Sequence, residues 1–380
     1  MNLKTNKYVL ESDKNKEILK YLKECDNNTL YQLLSETSKY RSLNHDAQYL
    51  LKRYNTNYDF FGPSEISLKE HYLYHLVMLN NLPEKYVNID VSPINPLGLN
   101  SNLSMLSQNL VLSTIKNSEV CGDPTTALAL EASKRRKENQ TGDINLATIT
   151  RILRMQPFDS SKGYMQHFNL IGILTLANKK NNKNLFHDVF CEHISIWINL
   201  AEKLKKYGFD LGTIEVGITN IDFVESIIEN ETFSRELVTK NSLNDDFDFT
   251  NSLDIKIPDK IYSYNDLPQE VIEKYSLYKF KQKFNEVESI IKELKEKYPK
   301  VNFYIDMQRK AGLGYYNGIC FHIYSNVNDN KIQLSDGGVS DWCAQLLSDH
   351  NEQTVTSGFG AELILKLFGK ENSLEEILND

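Results

Sequence analysis

The sequence predicts an α+β fold in which a central, mostly antiparallel sheet is flanked by helices and preceded by an N-terminal helical extension. Residues 145–155 and 167–176 are apolar segments joined by a polar loop, which is the pattern of an antiparallel hairpin. Residues 184–206 place apolar side chains at helical spacing, and the last third of the chain returns to strand-like segments. These observations together predict helices packed on a mainly antiparallel sheet.

The composition is that of an ordinary globular protein. The 380 residues are 41% hydrophobic and 25% charged, and the formal charge is −8, so the molecule as a whole does not attract nucleic acid. The N-terminus has no signal-like apolar stretch and no apolar run is long enough to cross a membrane, which predicts a cytoplasmic protein. Five dispersed cysteines without a CxxC pair argue against a disulfide framework.

The first 61 residues read as short helices, with a break in the better helical segment near residues 42–44. Gly62-Pro63-Ser64 then punctuates the chain, and Ser64 is the expected N-cap of a helix over residues 64–80. Alternating residues 86–92 predict a strand that Pro93 ends.

The middle of the chain alternates strand-like and helical segments. Residues 229–262 are acidic and polar, which indicates an insertion or mobile lobe. The other predicted elements are strands at 110–115, 145–155, 167–176 and 213–218, helices at 126–133, 184–206 and 221–228, and a charged helix or pair of helices at 268–297.

The C-terminal third is expected to complete the sheet and close the fold. The predicted elements are strands at 302–307, 315–324 and 331–334, a turn at 337–341, and helices at 342–347 and 361–367. We expect three units: the extension 1–61, a core over 62–368 with a helical insertion at about 229–300, and a tail over 369–380.

Three segments carry motifs in a telling order. The first is the helix, strand and proline over residues 64–93. The second is a strand with Arg154 and Gln156, a loop with Lys162 and Tyr164, and a returning strand with Phe168. The third is a Gly-rich turn with Gly358, Gly360 and Glu362.

This order resembles the three signature motifs of class II aminoacyl-tRNA synthetases. The resemblance implies a dimer interface at the first segment and a nucleotide site at the other two. An arginine such as Arg154 suits the charged α-phosphate of ATP, and Phe168 offers a face for adenine. Taken singly, a helix followed by an edge strand and a Gly-rich turn are also common structural features.

Two further segments are similar to the histidyl branch of that family. Gly-Leu-Gly-Tyr-Tyr-Asn-Gly at 312–318 matches a family strand that carries an arginine and an aspartate, and Gly-Gly-Val-Ser-Asp at 337–341 matches a family turn. The resemblance implies that the substrate pocket is formed by Thr125, Thr126, Tyr315, Tyr316, Gly337 and Gly338.

Several charged residues that bind the substrate in the family are replaced in this chain. The activating arginine maps to Ala311, the strand aspartate to Gly314, and the glutamate that binds the substrate ammonium to Thr125. Leu170 and Leu174 stand where polar residues would hold the same ammonium, and Leu363 replaces the arginine of the third motif. Since a charge-assisted hydrogen bond contributes roughly 1.5–3 kcal/mol, we expect no binding of free histidine in the family manner.

Two functions follow from the resemblance. The first is a non-aminoacylating paralogue that acts as a regulatory or interaction subunit, like that of ATP phosphoribosyltransferase, with a partner enzyme and a small-molecule ligand. The second is an ATP-dependent ligase that adenylates an amino acid or other carboxylic acid, with Arg154 as its catalytic residue and ATP and Mg²⁺ as cofactors. Both imply a homodimer.

Binding of tRNA is not expected, because the anticodon-binding domain that follows the core in histidyl-tRNA synthetases is expected to be absent. The basic run at residues 134–137 is the one obvious patch and is also explained as a solvated helix end. His187, Cys191 and His193 lie close in sequence, but no carboxylate partner for zinc is identifiable, so we expect core or surface roles and no metal site.

Overall fold

The computed structural model describes residues 12–104, 107–156, 165–180, 185–231, 255–309, 311–327 and 330–370, with isolated residues at 233–234, 237–238, 250, 253, 373 and 377–378. Within these ranges the helices are α1 Asp13–Glu24, α2 Asn27–Leu43, α3 Ala47–Thr56, α4 Tyr58–Phe61, α5 Leu68–Asn80, α6 Leu99–Leu103, α7 Pro124–Lys137, α8 Leu185–Lys206, α9 Ile221–Glu229, α10 Gln269–Lys274, α11 Lys281–Lys297, α12 Trp342–Leu347 and α13 Ala361–Phe368. The strands are β1 Val87–Asn88, β2 Ile94–Pro96, β3 Ser118–Val120, β4 Ile144–Leu153, β5 His167–Asn178, β6 Thr213–Asn220, β7 Lys260–Ile261, β8 Asn302–Asp306, β9 Ile319–Val327, β10 Asn330–Ser340 and β11 Glu352–Gly360.

The described strands form one large sheet with the order β1-β4-β5-β11-β10-β9-β6-β8-β7. Only the β1–β4 and β6–β8 pairs are parallel among the described neighbours, so the predicted, mostly antiparallel sheet is confirmed. The two remaining strands, β2 and β3, pair with each other. None of the described helices is both long and apolar enough to traverse a lipid bilayer.

The register of the strands gives the sheet two distinct faces. Phe168 and Gly172 of β5 share one face with Gly358 of β11, and across β10 and β9 this face continues through Asp336 and His322. We call it the cleft face. The intervening residues form the opposite face, which the long helices cover, because successive side chains of a strand point to opposite sides.

The main hydrophobic core lies on the helix-covered face. Trp197 of α8 is fully buried and stacks on Phe359 of β11 with ring centroids 5.4 Å apart. Phe284 of α11 stacks on Phe223 of α9 at 3.8 Å. Burial of each such ring stabilises the fold by roughly 1.5–3 kcal/mol, so this packing fixes the sheet that carries the cleft face.

The start of α7 is locked onto the cleft face. Asp123 is the N-cap and Pro124 occupies the first helical turn, the residue types that helix starts prefer. A Cβ added at Gly172 would lie 3.0 Å from the Pro124 ring and 3.2 Å from Thr125, so a larger residue there would require α7 to shift by a few tenths of an ångström. The sheet therefore holds the first turn of α7 at a fixed height above β5.

The N-terminal helices are far less buried than the core. No residue of α1, α2, α3 or α4 is buried, although each of the first three helices begins at a Ser or Asp side chain that caps it. The predicted break falls between α2 and α3. The cap of α5 is Ser67, which forms a reciprocal capping box with Glu70, and not the predicted Ser64.

Four predicted elements differ from the structure. The strand predicted at 86–92 is limited to β1, and 110–115 is not a strand, because residues 114–118 close a tight turn with Asn117 at φ 55°. The strand predicted at 315–324 begins only at Ile319, since glycines at positive φ (Gly312, Gly314 and Gly318) form a loop before it. Residues 337–340 continue β10 instead of turning.

Candidate functional site

A buried carboxylate organises one side of the cleft face. Asp123 Oδ1 accepts hydrogen bonds from the Thr125 backbone N–H at 2.9 Å and from the Thr125 hydroxyl at 2.6 Å. Its Oδ2 accepts the Tyr315 hydroxyl at 2.7 Å, and Asp123 is only 7% exposed. A helix cap thus also joins α7 to the loop before β9.

Arg154 reaches the same carboxylate from the end of the β4 strand. Its Nε donates to the Gly122 carbonyl at 3.1 Å, and its terminal nitrogen lies 4.0 Å from Asp123 Oδ2. The structure therefore brings together Arg154, Thr125 and Tyr315, three of the residues predicted for the site. Asp123, which links them, was missed as a site residue, although Asp-Pro before a helix signals an N-cap.

Tyr315 and Tyr316 form an aromatic wall beside this group. The Tyr315 ring lies 4.8 Å from Trp342 and 4.6 Å from Tyr316, both edge-to-face. Burial, followed by the charge of Asp123, raises the pKa of Tyr315 well above its usual value, so its hydroxyl stays protonated and donates to that carboxylate.

A second ion pair crosses the middle of the cleft face. Arg309 donates to Asp336 Oδ1 at 2.8 Å and to the Ala311 carbonyl at 2.8 Å, and its side chain is 1% exposed against 32% for Asp336. Burial alone would raise the pKa of Asp336, but the charges and hydrogen bonds of Arg309 and His322 together outweigh it and hold that pKa well below the usual range. The Arg309 guanidinium also lies 5.4 Å from the centre of the Tyr316 ring.

His322 completes this second group. Its Nε2 lies 3.4 Å from Asp336 Oδ2, and its Nδ1 accepts or donates a 2.7 Å hydrogen bond with the Tyr324 hydroxyl. Burial and then the nearby Arg309 charge lower the pKa of His322. The imidazole is therefore neutral near pH 7. Strand register alone places His322 opposite Asp336, and no local motif could have shown it.

The motif glycines fall on both faces of the sheet. A Cβ added at Gly360 would meet nothing closer than 3.7 Å, so the β11 backbone is open there on the cleft face, whereas a Cβ at Gly358 would lie only 3.3 Å from the Ile171 carbonyl oxygen. Tyr316 packs directly on Gly338, where a Cβ would lie 2.7 Å from its ring. Gly337 points to the opposite face against Phe321, so the structure does not bring it to the predicted pocket.

Glu362 lies apart from the Arg154 group. It is 6% exposed and accepts the Asn169 backbone N–H at 3.0 Å and an Arg151 nitrogen at 3.0 Å. Ser64 also donates to it, and His71 lies 3.9 Å away. These contacts join the start of α13 to the helix-covered face near α5, a tertiary role that the sequence pattern did not indicate.

The remaining predicted residues are placed less centrally. Thr126 is buried and donates to Asn100 and to the Asp123 carbonyl, away from Tyr315. Phe168 lies on the cleft face opposite Ile152 in the register, and the Gln156 carbonyl accepts from Gln166 at 3.2 Å. Lys162 and Tyr164 lie outside the described residues.

The substitutions had suggested that the cleft lacks acidic side chains, but the structure places two carboxylates there. Asp123 hydrogen-bonds to the very threonine that replaces the family glutamate, and Asp336 lies beside Tyr316 through Arg309. An arginine is likewise present, because Arg309 lies two residues before the aligned Ala311. Leu174 is fully buried in the apolar cluster with Leu128, so its position matches a core role.

The basic run at 134–137 is engaged in ion pairs within the described structure. Lys134 pairs with Glu138 at 3.0 Å, Arg135 with Glu131 at 2.8 Å, and Arg136 with the buried Glu352 at 3.1 Å. These three cations are therefore partly neutralised by neighbouring carboxylates, which agrees with the interpretation of this run as a helix end.

A carboxylate does stand beside His187 and Cys191. Glu293 of α11 places its Oε2 2.7 Å from His187 Nε2, and one ligand atom of each of the three residues lies within 4.8 Å of the others. The sequence could not reveal this partner, because Glu293 is remote in the chain. His193 instead has the expected core role: it is fully buried and hydrogen-bonded to Thr175 and Ser357.

Neither a protein-family model nor a curated protein matches this chain by sequence. Solved structures match its fold. An ATP phosphoribosyltransferase regulatory subunit/histidyl-tRNA synthetase from Bacillus halodurans C has a TM-score of 0.55 at 15% identity, covering 81% of this chain and 82% of that chain. A histidine–tRNA ligase subunit from Alicyclobacillus acidocaldarius has a TM-score of 0.56 at 13% identity, covering 84% and 97%.

A histidyl-tRNA synthetase from Nostoc sp. PCC 7120 is similar at a TM-score of 0.52 and 14% identity, with 77% of this chain and 69% of that chain covered. The fold is therefore class II aminoacyl-tRNA-synthetase-like, with histidyl-type structural neighbours, as the motifs predicted. At these identities the likeness concerns the fold.

Proposed function

We propose that this protein is a non-aminoacylating paralogue of the histidyl type that acts as a regulatory or interaction subunit. One observation carries the proposal: both cleft guanidinium groups are already bonded within the chain. Arg309 is held by Asp336 and the Ala311 carbonyl, and Arg154 lies against the Gly122 carbonyl and near Asp123. A polyanionic nucleotide would have to compete with these partners.

The cleft still suits a small ligand. Asp336 is one-third exposed, and Tyr316 and the open β11 backbone lie on the same face. With each arginine balanced by a carboxylate, the site has no net excess of positive charge, which fits a small neutral or zwitterionic molecule better than a triphosphate. Ligand binding in such a site would change the conformation of the sheet and thereby the activity of a bound partner enzyme, with ATP phosphoribosyltransferase as the model.

Homodimerisation is part of the same proposal. Helix α5 buries His71, Tyr74, Val77 and Met78, but its opposite side exposes Leu68, Tyr72 and Leu76 at 68%, 67% and 55%. These three residues are spaced by four and form one apolar stripe. The stripe supports a subunit contact at the segment where the resemblance implies one.

A ligase that adenylates a carboxylic acid is the second candidate, and Arg154 favours it. Its side chain is 22% exposed, and the 4.0 Å separation from Asp123 is looser than a hydrogen-bonded pair. Arg154 would then hold the α-phosphate of ATP, with Mg²⁺ offsetting charge, above the backbone of β11, which is open at Gly360.

ATP–pyrophosphate exchange with a pool of amino acids and other carboxylates separates the two candidates. We expect no exchange above background. We also expect ATP with Mg²⁺ not to stabilise the protein, whereas any ligand that binds the folded state would raise the free energy of unfolding by about 1.4 kcal/mol at ten times its Kd. The matched variants are Arg154→Ala, in the cleft, and Arg41→Ala, at an exposed position of α2. Exchange that Arg154→Ala abolishes and Arg41→Ala retains would establish the ligase instead.

The regulatory role itself is tested by addition of the purified protein to the ATP phosphoribosyltransferase catalytic subunit of the same organism. We expect a stable complex and a changed turnover. Absence of both would remove that enzyme as the partner.

A further inference from the structure

We propose that His187, Cys191 and Glu293 form a binding site for a borderline-soft divalent metal ion of the Zn²⁺ type. The site lies between α8 and α11, on the helix-covered side of the sheet. It is separate from the cleft and independent of the function proposed for it. The three side chains offer an imidazole nitrogen, a thiol sulfur and a carboxylate oxygen within 4.8 Å of one another.

Two packed helices present these ligands. His187 and Cys191 are four residues apart and therefore share one side of α8. Further along, Lys297 Nζ donates to the Ser195 hydroxyl at 3.2 Å, and the Tyr298 hydroxyl donates to Asn199 at 3.1 Å. The contacts of α8 at 187, 195 and 199 thus fix its alignment with α11. A ligand set on two aligned helices is more rigid than one on loops.

The donor set selects the class of ion. Thiolate and imidazole ligands favour Zn²⁺ and related ions over Mg²⁺ and Ca²⁺, which prefer oxygen. Tetrahedral zinc with bonds of about 2.0–2.3 Å places neighbouring ligand atoms about 3.5 Å apart. His187 Nε2 and Glu293 Oε2 are 2.7 Å apart and the three ligand atoms lie within 4.8 Å of one another. Side-chain rotations that move these atoms by about 1 Å therefore reach the tetrahedral geometry.

The surroundings of the site also suit a cation. Glu293 is 57% exposed and His187 is 30% exposed, which leaves an entry path, whereas Cys191 is 5% exposed. A divalent ion bound here would displace the thiol proton of Cys191, with solvent as the fourth ligand.

Cobalt(II) and zinc(II) titrations of the full chain, after treatment with a chelator, test the site. We expect one equivalent to bind per chain, with the thiolate-to-cobalt charge-transfer band in the near ultraviolet. Cys191→Ser should abolish the band, and Glu293→Gln should weaken zinc binding by more than about tenfold.

Matched controls come from the same chain. Cys25→Ser removes a cysteine of the N-terminal helices, and Glu286→Gln removes a carboxylate two turns from Glu293 on α11. Neither should change the band or the affinity. Glu293 lies at the surface, so the Glu293→Gln variant is expected to fold. Circular dichroism shows whether the Cys191→Ser variant is folded. Absence of stoichiometric binding, or equal affinity in wild type and Glu293→Gln, would overturn the proposal.

Discussion

At the scale of single residues, the cleft is defined by charges that compensate one another. Arg309 is almost completely buried and Asp336 is its carboxylate partner at 2.8 Å. A buried pair of this kind adds little stability compared with an apolar pair, but loss of one partner leaves the other charge without compensation. The ion pair therefore fixes the loop before β9 more than it strengthens the fold.

Substitution of Asp336 tests this interpretation. Asp336→Asn preserves the shape but leaves the Arg309 charge buried, so we expect the free energy of unfolding to fall by about 3 kcal/mol in urea denaturation. The double variant Arg309→Met/Asp336→Asn should recover a large part of that loss. The control Asp341→Asn, at the start of α12, should change stability by less than about 0.5 kcal/mol. Equal stability of Asp336→Asn and wild type would contradict a buried ion pair.

At the scale of elements, the N-terminal helices depend on local interactions. Helices α1, α2 and α3 are capped by Ser12, Asp26 and Asp46, but none of their residues is buried. Isolated helices of this length are marginal in water, since most helical stability in proteins comes from packing. Their exposed apolar side chains include Tyr40 at 72% and Leu43 at 86%.

Hydrogen exchange measures this difference directly. Amides of α2 should exchange at least about a hundredfold faster than those of β5, because little packing opposes the opening of α2. The central strand β5 serves as the internal reference. Comparable protection of α2 and β5 would show that another surface covers these helices.

The sequence predicted elements well where one periodicity runs unbroken. The hairpin β4–β5, the long helix α8 and the unit β6–α9 were predicted nearly to their ends, because their apolar residues repeat over many positions. The predictions were wrong where the backbone conformation of single residues decides whether a strand forms. The three positive-φ glycines before β9 and the turn at Asn117 interrupt segments whose apolar content alone resembles strands.

The candidate site was predictable only where local motifs carry it. Arg154, Thr125 and Tyr315 come from motifs and do meet, through Asp123. Arg309, Asp336 and His322 meet through the register of β9 and β10 and a long loop, and residue order does not encode such contacts. Glu293 is the same case, because it reaches His187 only through the packing of two helices.

At the scale of the whole molecule, the apolar stripe of α5 predicts the state of assembly. We expect the wild-type protein to sediment as a dimer and Tyr72→Glu to sediment as a monomer, because a charge at a buried contact should cost at least about 2 kcal/mol of association. Tyr262→Glu, at an exposed tyrosine near β7, is the matched control and should remain dimeric. A monomeric wild type would exclude the proposed subunit contact.

The place of β11 in the sheet has a consequence for synthesis of the protein. β11 pairs with β5 on one side and with β10 on the other. When the ribosome has synthesised the chain up to Ser340, the other strands of this sheet are complete. Without β11, however, these strands form two separate halves with unpaired hydrogen-bonding edges. Such edges are prone to aggregation. A nonsense mutation before Glu352 should therefore yield insoluble fragments, whatever activity the finished molecule has.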